Sequence, residues 1–220
     1  MTRTAPRSAV RRTLAAATAL ASLAVLGLAS GCSSASPPSP PAGVDELTVP
    51  TPSPDPDDFV ADVDNPWLTL EPGVSTTYET ATGELVTTVD GGPEILGVAT
   101  TAVTGETTDY YAQDEAGNVW WLGREGEWRA GEDGAEAGIA MLATPRVGDG
   151  YAQAEPGPRA TVLALDGEAQ TPAGDFEDLV VVETTEEAGR VLTSYYARGA
   201  GLVHRETETG APDGTLSLVE

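Results

Sequence analysis

The chain has 220 residues, with eleven arginines, no lysine and thirty-five acidic residues, for a formal net charge of −24. That surface opposes nucleic-acid binding, which rests on neutralising phosphates with Lys and Arg, and it repels anionic lipid head groups. A single cysteine, Cys32, leaves no intramolecular disulfide and no cysteine zinc site, and one histidine, His204, is too little for a transition-metal centre.

Residues 1–31 read as a targeting segment. The first twelve carry Arg3, Arg7, Arg11 and Arg12 and no acid. Residues 14–28 are an apolar run of about 15 positions, short of the roughly 20 that a membrane-spanning helix needs. Leu28-Ala29-Ser30-Gly31-Cys32 follows and resembles the lipobox of bacterial lipoproteins. There, small residues precede a cysteine that receives diacylglycerol and becomes the new N-terminus. Ala29 stands where leucine is commonest. The reading is cleavage between Gly31 and Cys32, lipid on Cys32, and attachment to the outer face of the cell membrane. One acyl chain binds only marginally, at about 0.8 kcal/mol per buried CH₂, whereas two hold durably. Lipidation would also consume the only thiol, so no thiolate nucleophile remains. Arg11-Arg12 before Thr13-Leu14 carries a weak twin-arginine export signal.

Residues 32–58 comprise the lipidated cysteine and a tether. Pro37, Pro38, Pro40, Pro41, Pro50, Pro52, Pro54 and Pro56 favour extended polyproline II, giving a reach of about 80 Å at most. The acidic run Asp55, Asp57, Asp58, Asp62, Asp64 lacks the central Gly and terminal Glu of a calcium loop and reads as a solvated linker end.

Residues 59–220 form one ordinary domain that needs no disulfide or metal staple. Thr, Val and Tyr are frequent, and turn residues recur every eight to twelve positions, an all-β rhythm. Strands are expected at 74–80, 84–90, 94–104, 107–114, 118–123, 150–154, 160–166, 177–185, 190–197, 201–208 and 215–219. Gly-containing turns are expected at 82–83, 90–92, 104–106, 116–118, 166–167 and 188–189. Short connections make neighbours antiparallel. The expected fold is therefore mainly β: a meander forming a twisted sheet or partly closed barrel. Residues 131–145 break the rhythm and suggest one short helix or plug segment near 133–143, capped by Asp133, stopped by Pro145 and burying Ile139, Met141 and Leu142.

The candidate ligand-binding residues are Trp120, Trp121 and Trp128, around a turn at 123–126. Adjacent strand residues face opposite sides, so one of Trp120 and Trp121 points to the core and the other outward or into a cavity. The same applies to Tyr110-Tyr111 and Tyr195-Tyr196. No catalytic residue, metal ligand or cofactor motif stands out: thirty-five acids guarantee chance carboxylate pairs, GxSxG is absent, and His204 reads as a surface or half-buried strand residue. Gly199-Ala200-Gly201 has strand pattern on both sides and reads as a tight turn rather than a phosphate loop, which would open a helix.

Several segments carry a resemblance: Asn65-Pro66-Trp67, Leu70-Glu71-Pro72-Gly73, Trp128-Arg129-Ala130-Gly131 with Gly138-Ile139-Ala140-Met141, Val147-Gly148-Asp149-Gly150-Tyr151, Thr171-Pro172-Ala173-Gly174-Asp175-Phe176, and Tyr195-Tyr196-Ala197-Arg198-Gly199-Ala200-Gly201-Leu202-Val203. Across residues 65–205 the chain resembles a group of uncharacterised bacterial secreted lipoproteins of actinobacterial type. Those proteins carry an NP-aromatic opening, a PAG-x-F turn and a closing YYA-x-G-x-G-L-V hairpin. Arg198 and Ala200 depart from the Pro and Val of that pattern. The resemblance implies a β-rich extracytoplasmic domain and no particular activity. The expectation is a non-catalytic envelope lipoprotein. Its partners are the membrane, through lipid on Cys32, and a cell-wall or small-molecule ligand. The alternatives are a carrier of an apolar or lipid molecule in a β half-barrel and a carboxylate hydrolase of wall polymers.

Overall fold

The computed structural model describes residues 55–186, 188–209 and 214–220. Gly31, Cys32 and the tether up to residue 54 lie outside the described residues. At the tether's end, Asp55 caps a 3-10 turn, Pro56–Asp58, by accepting the Asp57 N–H at 3.1 Å.

Seventeen strands follow: β1 (Phe59–Val60), β2 (Val63–Asn65), β3 (Leu68–Leu70), β4 (Ser75–Thr80), β5 (Gly83–Ile95), β6 (Val98–Thr104), β7 (Thr108–Asp114), β8 (Val119–Arg124), β9 (Trp128–Arg129), β10 (Glu136–Met141), β11 (Gly150–Ala152), β12 (Ala154–Glu155), β13 (Arg159–Thr171), β14 (Gly174–Thr185), β15 (Val191–Ala197), β16 (Gly201–Thr209) and β17 (Leu216–Leu218). Fifteen join one antiparallel sheet, ordered β11-β13-β14-β15-β16-β17-β4-β5-β6-β7-β8-β10-β12, with β1 added to β7 and β9 to β8. The sheet curls until it is nearly closed into a barrel. Its two end strands, β11 and β12, are consecutive in the chain, and only Gln153 separates them. One residue therefore bridges the seam, with β11 on the β13 ladder and β12 on the β10 ladder.

β2 and β3 form a separate hairpin. Val63 and Leu70 are buried with Val89 of β5, Val119 of β8 and Met141 of β10, fringed by Trp67, Val103, Tyr111 and Tyr196. Trp67 and Tyr196 also pack against Ala160, Val162, Val180 and Val182 of β13 and β14. These strands are far apart in the sheet order, so they meet only because the sheet wraps round the hairpin. Asn65, 1% exposed, fixes it there. Its Nδ2 donates to the carbonyls of Gly117 (2.8 Å) and Leu142 (3.2 Å), and its Oδ1 accepts from Trp67 N (2.8 Å) and Leu68 N (3.3 Å). Asn65 N donates to Gln113 Oε1 at 2.7 Å, and Gln113 Nε2 donates to Asp64 Oδ1 at 2.6 Å.

Strands β6–β8 are covered on both faces. Tyr111 and Val119 turn to the hairpin. Their chain neighbours Tyr110 and Trp120 join Ile95, Val98 and Leu122 in a second core closed by Phe59 and Trp128. Where the long β13–β14 hairpin ends, Ala169 and Leu179 pack with Tyr78, Val203, Leu216 and Leu218.

Four local expectations are corrected. The helix or plug segment near 133–143 is not helical: Glu136–Met141 is β10, paired with Trp120 and Trp121 of β8. Gly131, Asp133 and Gly134 all hold positive φ, which a right-handed helix start does not accept. Met141 still enters the hairpin core, but the plug itself is Val63–Leu70. The strand expected over 94–104 breaks at Leu96-Gly97 (φ 53° and 81°), and Gly91-Gly92 is an irregularity within β5, not a turn. Asp166-Gly167 likewise lies inside β13, between two register shifts. A side chain at 167 would overlap Val181, so this glycine serves close packing. The hairpin turn falls instead at Pro172-Ala173, between the paired Thr171 and Gly174.

Two stability predictions follow from these contacts. Asn65→Ala takes the partner from two carbonyls and two N–H groups, all part-buried, so that water can satisfy some of them and the cost of about 1–3 kcal/mol per group falls only on those it cannot reach. Urea unfolding followed by Trp fluorescence should show a loss of about 2–4 kcal/mol. Gly138→Ala puts a methyl onto the Gln153 and Ala152 backbone at the seam; the expected cost is about 1–3 kcal/mol, against near neutrality for Gly91→Ala, whose added methyl meets nothing within 4 Å.

Candidate functional site

The two interior clusters are fringed by aromatic side chains from widely separated strands. Trp67 follows β2, Tyr111 lies on β7, Tyr151 on β11 and Tyr196 on β15. All four are half-buried at residue level and pack against the two interior clusters. Each tyrosine arrives by strand alternation, its chain neighbour turning the other way.

The phenols are held away from water. Burial is the main cause that pushes Tyr111, Tyr151 and Tyr196 above the ordinary tyrosine pKa. Their neighbours enter next: Asp109 and then Tyr196 raise Tyr111, Tyr196 and then Asp149 raise Tyr151, and the charges of Arg124 and Arg205 at Tyr111 and of Arg205 at Tyr196 pull the other way. Tyr78, at the edge of this group, is pushed up to about 12 by burial and then by Tyr196. Its Oη donates to the Leu202 carbonyl at 3.0 Å. The Tyr151 hydroxyl is different: it is buried and has no hydrogen-bond partner among the described residues.

The sequence candidates lie elsewhere. Trp120 is a core residue, edge-on to Phe59 at 6.0 Å, and its Nε1 donates to Asp114 Oδ2 at 2.9 Å. Trp121 and Trp128 do come together, edge to face at 4.9 Å. Trp121 Nε1 donates to Asp109 Oδ1 at 3.0 Å, and Arg124, bonded to the same carboxylate, lies over the indole at 5.0 Å. The indole is thus engaged at its N–H and on a face by its own neighbours. Tyr111, Tyr151, Tyr196, Trp67 and Arg205 were not singled out by the sequence as a group. The doublets Tyr110-Tyr111 and Tyr195-Tyr196 carried a signal, because one ring of each had to face each side of its strand.

His204 is half-buried on β16, as a strand histidine. Its Nδ1 lies 2.8 Å from Ser217 Oγ and its Nε2 3.1 Å from Glu206 Oε1, with Tyr195 tilted against the ring at 5.5 Å. This serine–histidine–glutamate string sits in the middle of the β15–β16–β17 ladders. The backbone N–H groups beside it serve those ladders and do not form an oxyanion hole. Among the described residues, no group of three or more His, Asp and Glu side chains is placed to hold a metal ion.

No family model and no curated protein sequence matches the chain. Among solved structures it is similar to a Bacteroides fragilis protein, provisionally classed as exported and having a YmcC-like fold. The likeness covers 70% of this chain and 97% of that one, at 15% identity and a TM-score of 0.38, too distant to carry function.

Tyr151→Phe removes the unpartnered hydroxyl while keeping the ring. A buried polar group without a partner costs about 1–3 kcal/mol, so the ligand-free variant should unfold at higher urea, by about 1 kcal/mol. A loss of stability would mean that the hydroxyl already has a structural partner.

Proposed function

We propose that the protein is a lipid-anchored lipoprotein of the cell envelope whose barrel binds a small ligand without transforming it. The leader and the Leu28–Cys32 segment support the anchor. Among the described residues no helix is long and apolar enough to cross a membrane, which is compatible with attachment through Cys32. The observation that carries the binding reading is the Tyr151 hydroxyl, buried and without a hydrogen-bond partner among the described residues, on a ring that packs, like Trp67, Leu142 and Tyr196, against one interior cluster. Folded chains seldom leave such a group without a partner, and a ligand in the curl would supply one. This reading unites the envelope-binding expectation with the carrier alternative and assigns no chemistry to the chain.

The two parts are tested separately. Cys32→Ala should abolish labelling by radioactive palmitate and move the protein from the membrane to the soluble fraction of the producing cells; retention in the membrane fraction would contradict the anchor. For the ligand, native mass spectrometry of the full mature chain carrying Cys32→Ser should detect one-to-one adducts from a panel of small amphiphiles with acid, alcohol and amine heads. Bare chain with every member of the panel would overturn the binding reading.

A further inference from the structure

Ser217, His204 and Glu206 share one face of the sheet. On β17, Leu216 and Leu218 turn into the core, and Ser217 between them turns the other way. His204 is directly opposite Ser217 in the β16–β17 ladder, so the two lie on the same face. Glu206, two residues beyond His204 on β16, lies there too. The contacts run from Ser217 Oγ to His204 Nδ1 at 2.8 Å and from His204 Nε2 to Glu206 Oε1 at 3.1 Å.

The string has a direction. An ionised carboxylate has no proton to give. Glu206 therefore accepts, and Nε2 of the neutral ring carries the proton. The bond made by one ring nitrogen fixes the state of the other. Nδ1 is thus bare and accepts the Ser217 O–H. A hydroxyl that donates to an imidazole whose far nitrogen is held by a carboxylate is poised to become a nucleophile. Tyr195, opposite His204 in the β15–β16 ladder, packs against the ring at 5.5 Å, and the His204 side chain is 16% exposed. Ser217 is half-buried, so a small reagent can still reach its Oγ.

We propose that Ser217 is a modification site: it takes one acyl group from a small uncharged activated ester and keeps it. His204 is its base and Glu206 the positioning residue. In the step, Ser217 Oγ bonds to the ester carbonyl carbon and its proton passes to His204 Nδ1. The bond from that carbon to the leaving oxygen then breaks, and the leaving oxygen takes the electron pair and the proton. The backbone N–H groups alongside are spent in the ladders, so the string lacks the oxyanion donors that each contribute about 10²–10³ in rate. The transfer is therefore slow and stops at one acyl group. Glu79, directly opposite Ser217 on β4, and Glu206 are exposed carboxylates that disfavour an anionic donor. The modification is independent of the ligand-binding reading above.

The test is mass spectrometry, intact and after digestion, of the full mature chain incubated with p-nitrophenyl acetate. Cys32→Ser in that chain removes the competing thiol. The expected result is an acetyl group on Ser217 that stays in place, with Ser217→Ala lacking it. His204→Gln should slow acetylation of Ser217 about a hundredfold, the low end of what a positioned base contributes. Glu206→Gln keeps an acceptor for the Nε2 proton and should retain most of the rate, whereas Glu206→Leu should lose it. Acetyl phosphate, an anionic donor, should label Ser217 more slowly than the ester. Absence of acetyl from Ser217 would overturn the proposal. So would equal labelling of Ser217 in the urea-unfolded chain or in His204→Gln, either of which would show an ordinary serine. Equal rates in Glu206→Gln and Glu206→Leu would overturn the role of Glu206, and faster labelling by acetyl phosphate would overturn the class of donor.

Discussion

Everything in this fold is arranged round the side chain of Asn65. It is buried, it meets two carbonyls and two N–H groups, and it does so from the tip of a hairpin that the sheet encircles. The two carbonyls belong to Gly117 and Leu142, on loops that flank β8 and β10. The two N–H groups belong to the hairpin's own turn. One amide thus closes the turn and docks it, and aspartate could not do both, because it has no donor to offer the carbonyls. Docking places Val63, Trp67 and Leu70 where strands from opposite arms of the sheet can cover them. Burying side chains of that size contributes about 1.5–3 kcal/mol each, a gain that exists only once the sheet has curled.

The same hairpin joins two segments that are far apart in the sequence. The Pro66 carbonyl accepts the Gly199 N–H at 2.7 Å, and Arg198 lies over the Trp67 ring at 4.4 Å. Asn65-Pro66-Trp67 and the Tyr195–Val203 hairpin are therefore two sides of one contact. Gly199 and Gly201 hold φ of 78° and 75°, the left-handed region that a turn this tight demands. Arg198 takes part through its charge and its stacked plane, a role that proline at this place could not fill.

Alternation was legible. The strands with one buried face, such as β4 and β17, fall close to where Thr, Val and Tyr alternate with turn residues, and the doublets do divide between faces. The helix near 133–143 failed because Ile139, Met141 and Leu142 have a spacing that either period accommodates, and the positive φ values just before them decided the matter. Gly91-Gly92 and Gly167 misled for one reason: glycine permits a turn and equally permits close approach, and at 92 and 167 a neighbouring strand fills the space. The interior aromatic group was illegible because Tyr111, Tyr151 and Tyr196 come from three strands whose sheet neighbours are set by the closure, and closure turns on Gly138 and Gln153.

The account's central claim is that the curled sheet and the Asn65 hairpin form one cooperative unit. Native-state hydrogen exchange tests it most directly, by comparing the amides of Trp67 and Leu68, which bond to Asn65 Oδ1, with that of Val119 in the barrel wall. If the sheet depends on the hairpin, all three exchange through the same global opening, with equal free energies and equal dependence on denaturant. Exchange of Trp67 and Leu68 through a local opening, orders of magnitude faster than Val119, would show a barrel that stands without its hairpin and would contradict the account.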